Sequence, residues 1–510
     1  MSIVATPPFD GGEPMYQLLE NSEFPLEPPR VIAEEWLALV GRFVLDQIDD
    51  LDTAPAGGAP FEQWPALTAA AGGGIPELPV TGGLAEIVAT LDRAAQASLL
   101  APGPGYLAYI PGGGLFGSAL ADLIADCLNR YTGLSAPSPA LFRLEEDVLG
   151  WLCAIFGYGP AARALLTPGG SLATLSAVVT ARHAAFGDAG DFSRAVVYTS
   201  TQAHHSVAKA ARLAGIPGRL VRALPVDAQF RMRPDALASA IAEDRRRGLS
   251  PFLVVAAAGT TNTGAIDPLP AIAALAGQEK LWLHVDAAYG GAFVLTELGR
   301  ARLAGIDAAD SIAFDPHKGF FLPYGTGCLL VRDGACLRQA HRLAAEYLQD
   351  LGNDSEVSWS PSELGPELSR DFRGLRLWLP LMLHGAKAFR DALEEKLALA
   401  QAFMRGLDEL RAGGAPIEIV ARPQLSLTAF RLVREPGEAL AGWNQRNRAW
   451  LGAVNARQRV HLSSTLLPVG DGQAFTLRAC VLSFRTHARQ IEEALADLAA
   501  ALGRAPPSVS

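Results

Sequence analysis

The chain has 510 residues, of which 49% are hydrophobic and 19% charged, and its formal net charge is −10. This length exceeds what one hydrophobic core ordinarily organises, so two or three packed units are expected. The negative charge argues against a nucleic-acid partner. The first residues, MSIVATPPFDGGEP, do not have the basic start and apolar stretch expected of a signal peptide, and no run reaches about 18 apolar residues.

The five cysteines are odd in number and scattered, and they lie mostly in apolar runs such as GTGCLLV and LRACVLS. This usage is typical of reduced core thiols and not of a disulfide framework or a metal site. We therefore expect a soluble, cytoplasmic enzyme with no membrane partner. The cysteines are Cys127, Cys153, Cys328, Cys336 and Cys480.

Helical apolar spacing covers residues 16–50, and Gly-, Pro- and Ala-rich segments follow it. The pattern predicts an N-terminal helical arm and linker over residues 1–110. Such an arm cannot bury its apolar face alone, so packing on a partner subunit is consistent with it.

Short apolar or β-branched runs alternate with helical patterns between about residues 115 and 380. They include RALLT, AVVYTS and KLWLHV, and SLATLSAVVTARHAAF is one of the helical patterns. Such alternation favours an α/β fold with a mainly parallel sheet covered by helices on both faces. We predict a large domain over residues 111–380.

The pattern changes in residues 381–510. A Leu-rich helical stretch at 391–412 precedes strand patterns at 416–421, 425–433 and 475–483 and a closing helix at 488–503. We predict a smaller C-terminal α+β domain.

Lys318 lies in the tetrad DPHK (315–318) and is one of only five lysines in the chain. Its neighbours, SIAFD before it and GFFLPYGTG after it, have the composition of a protein interior. A lysine at a strand end more often extends to water. However, a buried amine can form a Schiff base, which a guanidinium cannot, so we predict that Lys318 serves chemistry.

Polar residues follow the predicted strands at the edge where ligands collect in open α/β sheets. Gly169, Gly170 and Ser171 lie between a strand and a helix, where free backbone amides and the helix dipole favour a phosphate. The same turn is also compatible with an ordinary strand–helix connection that has Ser171 as its N-cap. Asp286 ends the run LWLHV and needs a positive partner, either an arginine or a pyridinium nitrogen.

His204 and His205 follow the strand AVVYTS. Adjacent histidines project differently and make a poor metal pair, whereas one flat imidazole can stack on an aromatic ring. A phosphate turn, a stacking histidine, a carboxylate and a Schiff-base lysine are the four groups that hold pyridoxal 5′-phosphate (PLP). The sequence therefore predicts a PLP site and no metal.

These motifs resemble those of the fold-type-I, group II PLP-dependent amino acid decarboxylases, which include the aromatic L-amino acid, histidine and glutamate decarboxylases. The similarity extends from about residue 100 nearly to the end of the chain and includes TPGGSLATL, QAHHSV, HVDAAYGGAF and DPHK. It implies an aspartate aminotransferase-like fold with a seven-stranded, mainly parallel sheet in the large domain and a small C-terminal domain.

The resemblance also implies a role for each matching residue. Lys318 would bind PLP covalently, Asp286 would pair with the pyridine nitrogen and His204 would stack on the ring. The remaining cofactor residues would be Gly170, Ser171 and His317 at the phosphate, and Thr261 and Ala288 along the cofactor.

In this family a mobile loop after the lysine carries a tyrosine that protonates the substrate carbon once CO2 has left. Tyr347 is the matching residue here. The loop closes over the neighbouring subunit's site, which implies a homodimer with shared active sites. The resemblance thus implies decarboxylation of an L-amino acid to the amine and CO2, with Lys318, Asp286, His204 and Tyr347 as catalytic residues.

Two departures from the family pattern are not expected to prevent cofactor binding: Leu172 replaces a frequent acidic residue, and Asp315 replaces a frequent asparagine. The region expected to hold the substrate side chain has enlarging glycines, a tyrosine that refills part of the space, and no basic cluster. These features favour an aromatic or bulky apolar amino acid over glutamate or aspartate. The residues are Tyr109, Ile110, Gly112, Tyr131 and Gly133.

Three alternatives remain open. An aminotransferase on the same fold would need a carboxylate-binding arginine in the small domain, for which Arg485 is the obvious residue. An aldehyde-forming synthase is disfavoured because Tyr347 and His204 are both present. An inactive PLP-binding scaffold is disfavoured because buried ionisable groups without a role are costly to keep.

Overall fold

The computed structural model describes residues 26–72, 74–342 and 359–507. The chain forms two compact units. One comprises Met1–Ala54 with Gly58–Leu99, and the other comprises Pro55–Gly57 with Leu100–Ser510.

The described part of the first unit consists of three α-helices, Arg30–Asp50 (α1), Trp64–Ala71 (α2) and Gly83–Gln96 (α3). None of these helices contains a buried side chain, and Leu37 and Leu45 of α1 are more than half exposed. The helix expected within residues 30–50 is present, and residues 16–25 of the predicted stretch lie outside the described residues.

A seven-stranded sheet forms the centre of the second unit. Its strands are Arg163–Thr167 (β1), Ala195–Ser200 (β2), Val221–Leu224 (β3), Ser250–Ala257 (β4), Trp282–Asp286 (β5), Ser311–Phe314 (β6) and Gly327–Val331 (β7). The spatial order is β1-β7-β6-β5-β4-β2-β3. Neighbours pair in parallel, except that β7 runs antiparallel to both β1 and β6. This confirms the predicted mainly parallel α/β sheet.

Every residue of β2, β6 and β7 is buried, as expected for strands covered on both faces. Helices lie on the sheet, and none of the described helices has the length and apolar character that a membrane crossing requires. The helices of this part are Phe116–Leu128 (α4), Pro139–Ile155 (α5), Gly170–Phe186 (α6), Ser206–Leu213 (α7), Pro234–Arg246 (α8), Leu269–Glu279 (α9), Glu297–Arg302 (α10), Pro316–Gly319 (α11) and Gly334–His341 (α12).

Strand β7 brings two ends of the site together. Its first residue, Gly327, pairs with Thr167, the last residue of β1, and Cys328 pairs with Phe314, the last residue of β6. The approach at Gly327 is close, because a Cβ there would lie 2.4 Å from the carbonyl carbon of Gly169. Only glycine fits this position without a shift of the backbone.

A second, antiparallel sheet of four strands lies toward the C-terminus. Its strands are Ile417–Ala421 (β8), Leu427–Leu432 (β9), Ser463–Val469 (β10) and Gly472–Cys480 (β11), in the order β10-β11-β9-β8. The helices Arg373–Ala412 (α13), Leu440–Asn455 (α14) and Ala488–Ala500 (α15) complete this part. Strand β10 was not predicted from the sequence, since SSTLLPV alternates weakly and contains a proline.

The Leu-rich helix expected at 391–412 is the second part of the longer helix α13. Two helical segments meet at Gly385, whose φ of 69° kinks α13. The domain boundary expected between residues 380 and 381 falls inside this helix, beside Pro380. The division into residues 1–110, 111–380 and 381–510 stays a prediction.

The five cysteines are all free thiols. Cys153, Cys328 and Cys480 are buried, as expected for core residues. The expectation is wrong for Cys127, which is exposed on α4, and for Cys336, which is partly exposed at the start of α12.

Candidate active site

A cavity of about 410 Å³ lies at the carboxyl ends of the parallel strands. Residues that follow β1, β2, β4, β5 and β6 line it, because the ends of these strands meet at one edge of the sheet. All eight residues expected to hold PLP are in its wall: Gly170, Ser171, His204, Thr261, Asp286, Ala288, His317 and Lys318.

The turn between β1 and α6 forms one end of the cavity. Helix α6 begins at Gly170, its N-cap is Gly169, and no side chain caps it. Ser171 is therefore a first-turn residue, and the alternative in which it serves as the N-cap is wrong. The uncapped backbone amides of the first turn are oriented as donors for an anion.

His317 lies close to this turn. Its Nδ1 donates to the carbonyl oxygen of Thr326 at 2.6 Å, and its Nε2 lies 3.7 Å from Oδ2 of Asp315. Burial lowers the pKa of His317. Because the Thr326 carbonyl can only accept a hydrogen bond, the proton of the neutral ring is on Nδ1 and Nε2 is available to the cavity.

The Lys318 side chain is held inside the cavity. Its Nζ lies 2.9 Å from Oδ2 of Asp315, and its side chain is 23% exposed. The alternative in which Lys318 extends to water is therefore wrong. The first turn of α11 thus places a primary amine beside the buried carboxylate of its N-cap residue.

Asp286 ends β5 and points into the same cavity. Its Oδ1 accepts a hydrogen bond of 3.1 Å from the backbone amide of Ala288. Burial raises the pKa of Asp286, and the charges of Lys318 and His204 oppose this shift. No arginine pairs with Asp286 in the described part of the chain, so the structural-arginine alternative has no support and a ligand cation remains the partner that fits.

His204 lines the cavity, whereas His205 is exposed and does not. The Nδ1 of His204 lies 2.8 Å from Oγ of Ser206, which fixes the orientation of the ring. Burial is the main cause that lowers the pKa of His204. One neutral, flat imidazole is thus presented to the cavity.

The five residues expected at the substrate side chain are not in the wall of this cavity. Gly112 is next to it, since a Cβ there would lie 3.2 Å from the carbonyl oxygen of His317. Ile110 is buried, and Tyr109 is 56% exposed with a φ of 51°. Tyr131 and Gly133 lie elsewhere, where the Tyr131 hydroxyl donates to Leu368 at 3.1 Å. Tyr347 lies outside the described residues.

Arginine 485 does not present a free guanidinium to a substrate. Its Nη atoms donate to the backbone carbonyls of Pro102, Gly113 and Gly114. An aminotransferase would need this arginine to bind a substrate carboxylate. Here its hydrogen bonds instead hold the chain around residues 102–114.

Sequence reasoning missed Arg478, a buried arginine that supports the cavity wall. Arg478 of β11 is 2% exposed and donates to the carbonyls of Asn262, Thr261 and Tyr109 and to the hydroxyl of Ser463. It thereby fixes the loop after β4, which lines the cavity. The sequence did contain a signal for this residue. The arginine in LRACVLS occupies a position where strand alternation predicts an inward-facing side chain.

The residues present fit PLP. An uncapped helix start suits the phosphate, Asp286 suits a protonated ring nitrogen, His204 suits the ring face and Lys318 suits the aldehyde. Asp286 has no arginine partner in the described part of the chain, and Oδ1 of Asp315 has no hydrogen-bond partner there, so both carboxylates can accept a further partner from a bound cofactor.

Comparisons with known proteins agree with this chemistry. The pyridoxal-dependent decarboxylase conserved domain matches residues 101–433. Aromatic-L-amino-acid decarboxylase of Bacillus atrophaeus is 34% identical over 383 residues, 75% of this chain and 78% of that protein. Phenylacetaldehyde synthase of Arabidopsis thaliana is 29% identical over 401 residues, 77% of this chain and 80% of that protein.

Among solved structures, Oryza sativa TDC with PLP and tryptamine has a TM-score of 0.85 and 25% identity. The match covers 94% of this chain and 99% of that one. The chain belongs to the pyridoxal-dependent decarboxylase family and is a PLP-dependent carboxy-lyase.

Proposed function

We propose that the protein decarboxylates an aromatic or bulky apolar L-amino acid to the corresponding amine and CO2. The observation that carries the substrate class is the charge of the cavity wall. Its described cationic groups are Lys318 and two histidines whose pKa values burial lowers, His204 and His317. A substrate with a second carboxylate would find no arginine there, and burying that carboxylate unpaired is costly.

We propose that Lys318 is the covalent attachment point and that Asp286 keeps a proton on the pyridine nitrogen. Bound PLP supplies the sink for the electrons that departing CO2 leaves behind. His204, oriented by Ser206, covers one ring face. Gly170 and Ser171 bind the phosphate together with His317, whose Nε2 must carry a proton to donate to a phosphate oxygen, while Thr261 and Ala288 line the cofactor.

The proposed proton donor to the substrate carbon is Tyr347. We expect Tyr347→Phe to keep PLP binding and to lose amine formation, because general acid catalysis contributes about 10²–10⁴-fold. Aldehyde, ammonia and peroxide should be measured together with the amine. Unchanged amine output from Tyr347→Phe would remove this residue from the mechanism.

An aldehyde-forming reaction is the second candidate. Its support is the 29% identity to phenylacetaldehyde synthase of Arabidopsis thaliana. The wild-type enzyme is expected to give amine without peroxide. Stoichiometric peroxide and ammonia from the wild type would favour the aldehyde-forming reaction.

We further propose a cytoplasmic homodimer with shared active sites. The free cysteines support the compartment. Leu120, Leu123, Ile124 and Leu128 form an apolar face of α4 that is 38–48% exposed, which supports a subunit contact.

Complementation tests the sharing of sites. If Tyr131 serves the partner's cavity, a mixture of Lys318→Ala and Tyr131→Ala subunits regains activity that neither variant has alone, because one heterodimer site is intact. Light scattering should show two subunits per particle. A monomeric, fully active enzyme would contradict the proposal.

The substrate test is incubation of holoenzyme with a panel of L-amino acids, with CO2 and amine followed by mass spectrometry. Tryptophan, tyrosine and phenylalanine are expected to exceed glutamate and aspartate in kcat/KM by about 100-fold or more. CO2 release without a keto acid excludes an aminotransferase. Preference for glutamate would overturn the substrate proposal, and colourless protein after PLP addition would favour an inactive scaffold.

A further inference from the structure

Asp315 is the least satisfied buried group at the site. Its side chain is 4% exposed, and Oδ1 has no hydrogen-bond partner among the described residues. The residue is the N-cap position of α11, yet its side chain does not cap that helix. It lies instead against the start of α6, because a Cβ on Gly170 would be 3.0 Å from both carboxylate oxygens.

Lys318 is the one cation of the described residues that contacts this carboxylate, through Oδ2 at 2.9 Å. Nε2 of His317 lies 3.7 Å from the same Oδ2 of Asp315. The charged and titratable groups facing Asp315 from other elements are Asp286 on β5, His204 after β2 and Cys328 on β7, and Arg376 of α13 acts on the neighbouring His317. The guanidinium of Arg376 is itself paired with Asp122.

Cofactor binding changes both the cation and the anions that surround Asp315. For covalent attachment, the Lys318 ammonium must lose a proton and its amine must condense with the PLP aldehyde, so that a C=N bond replaces the aldehyde C=O bond and water leaves. The ammonium, with three N–H donors, is thereby replaced by a nitrogen with at most one. At the same time, phosphate bound at the first turn of α6 places negative charge beside Asp315, where like charges disfavour ionisation of the carboxylate. A protonated carboxyl, in contrast, can donate a hydrogen bond to a phosphate oxygen.

We propose that Asp315 binds the cofactor phosphate as a neutral carboxylic acid and takes up a proton when PLP binds. This inference rests on the proposed phosphate site at Gly170 and Ser171. It adds a cofactor-binding residue and makes PLP capture dependent on proton concentration.

The test measures binding of PLP and of pyridoxal, which lacks the phosphate, to cofactor-free full-length protein between pH 6 and 9. For PLP, the dissociation constant of the wild type should rise with pH more steeply than that of Asp315→Asn. The ratio of the two dissociation constants should grow by about tenfold per pH unit if one proton is linked to binding. For pyridoxal, the two proteins should share one pH dependence. Asp307→Asn, an exposed carboxylate in the neighbouring 3-10 turn, is the matched control and should behave as wild type.

Calorimetry of wild-type PLP binding in two buffers of different ionisation enthalpy gives the proton count without any variant. The protons taken up with pyridoxal, and those due to titration of the phosphate itself, are subtracted from the count for PLP. One further proton should remain for the wild type, and none should remain for Asp315→Asn. A proton that persists in Asp315→Asn belongs to His317 and overturns the proposal. An equal effect of Asp315→Asn on PLP and pyridoxal also overturns it, because Asp315 would then act only through Lys318.

Ser171→Ala separates this inference from the proposed phosphate site. It should weaken PLP relative to pyridoxal. If it does so while Asp315→Asn has no phosphate-dependent effect, the site stands and the role of Asp315 is wrong. If neither variant distinguishes PLP from pyridoxal, both the phosphate site and the role of Asp315 are wrong.

Discussion

Buried polar groups are treated differently in the cofactor cavity and around the four-stranded sheet. Around that sheet, Asp497 is fully buried, and both of its oxygens bind Arg459. Asn447 accepts from the amide of Leu432 at 2.8 Å and donates to the carbonyl of Trp443 at 2.9 Å. The protein supplies every one of these partners.

In the cavity the protein supplies only part of what the buried groups need. Asp286 has one backbone hydrogen bond and no arginine, and one oxygen of Asp315 has no partner among the described residues. Leaving buried charge incomplete reduces stability. Among these carboxylates, burial alone does not distinguish the cavity: Asp497 is fully buried and paired through both oxygens, whereas Asp286 and Asp315 line the cavity and are incompletely paired.

The largest expected effect comes from removing the amine at the centre of the cavity. Lys318→Ala should lower decarboxylation by about 10⁴-fold, because the covalent attachment point of the cofactor is lost. Borohydride reduction followed by peptide mapping should find no pyridoxyl adduct at position 318. Lys387→Ala, at a side chain that is 78% exposed, is the control and should keep both activity and adduct. An adduct at another lysine of active wild type would refute the assignment.

Asp286→Asn should lower kcat by about 10²–10³-fold, because a neutral amide cannot keep the ring nitrogen protonated. The matched change around the other sheet, Asp497→Asn, should leave kcat per folded molecule unchanged and lower the free energy of unfolding by about 1–3 kcal/mol. Steady-state kinetics and urea titration of both variants check this. Equal effects of the two variants on kcat would show that Asp286 in the cavity and Asp497 beside the four-stranded sheet do not differ in their role in catalysis.

The same pair of variants should differ in the sign of the stability change. Burial raises the pKa of Asp286, so the folded cofactor-free protein holds this proton to higher pH than the unfolded chain does. The resulting penalty is absent below the unfolded pKa, grows as pH rises, and is complete above the folded pKa. Cofactor-free Asp286→Asn should therefore melt above wild type at pH 7 and converge with it in acid, as differential scanning calorimetry would show.

The adjacent histidines provide a smaller, internal contrast. His204→Ala should reduce kcat by about 100-fold, because ring positioning over the cofactor is lost, whereas the exposed His205 should tolerate alanine within a few-fold. The absorption spectrum of bound PLP should change only for His204→Ala. A comparable loss in His205→Ala would contradict the placement of the two rings.

The smallest effect is expected where the second sheet supports the cavity. Arg478→Lys cannot reproduce four directed hydrogen bonds, so the loop at Thr261 and Asn262 should loosen. We expect KM to rise by about tenfold with a smaller change in kcat, since positioning and not chemistry is affected. A loss confined to kcat would assign Arg478 a different role.

The parallel sheet was predictable from the sequence because it depends on local patterns, and the residues proposed to hold the cofactor come together in the wall of one cavity. Continuous β-branched runs such as that of β2 are typical of strands covered on both faces, and glycines such as Gly170 are typical of an anion-binding turn. Chain order also placed His204, Asp286 and Lys318 at strand ends, which parallel topology brings to one edge.

Features that depend on distant contacts were not predictable from the sequence. Asp315 was noted only as a departure from a family pattern, because its contact with Gly170 requires β1 and β6 to be brought close by β7. Strand β10 and the kink at Gly385 depend on packing against other elements. The five substrate residues stay predictions because none of them lines the described cavity, and Tyr347 stays a prediction because it lies outside the described residues.

The position of β7 has a consequence for ligand size. Through its pairing with the ends of β1 and β6, this strand sets the spacing between the phosphate turn and the segment that carries Lys318. That spacing is determined by main-chain hydrogen bonds across three strands, so neither anchor can adjust independently to a longer molecule. A vitamer analogue whose phosphate arm is lengthened by one methylene should therefore dock at one anchor or the other, but not at both.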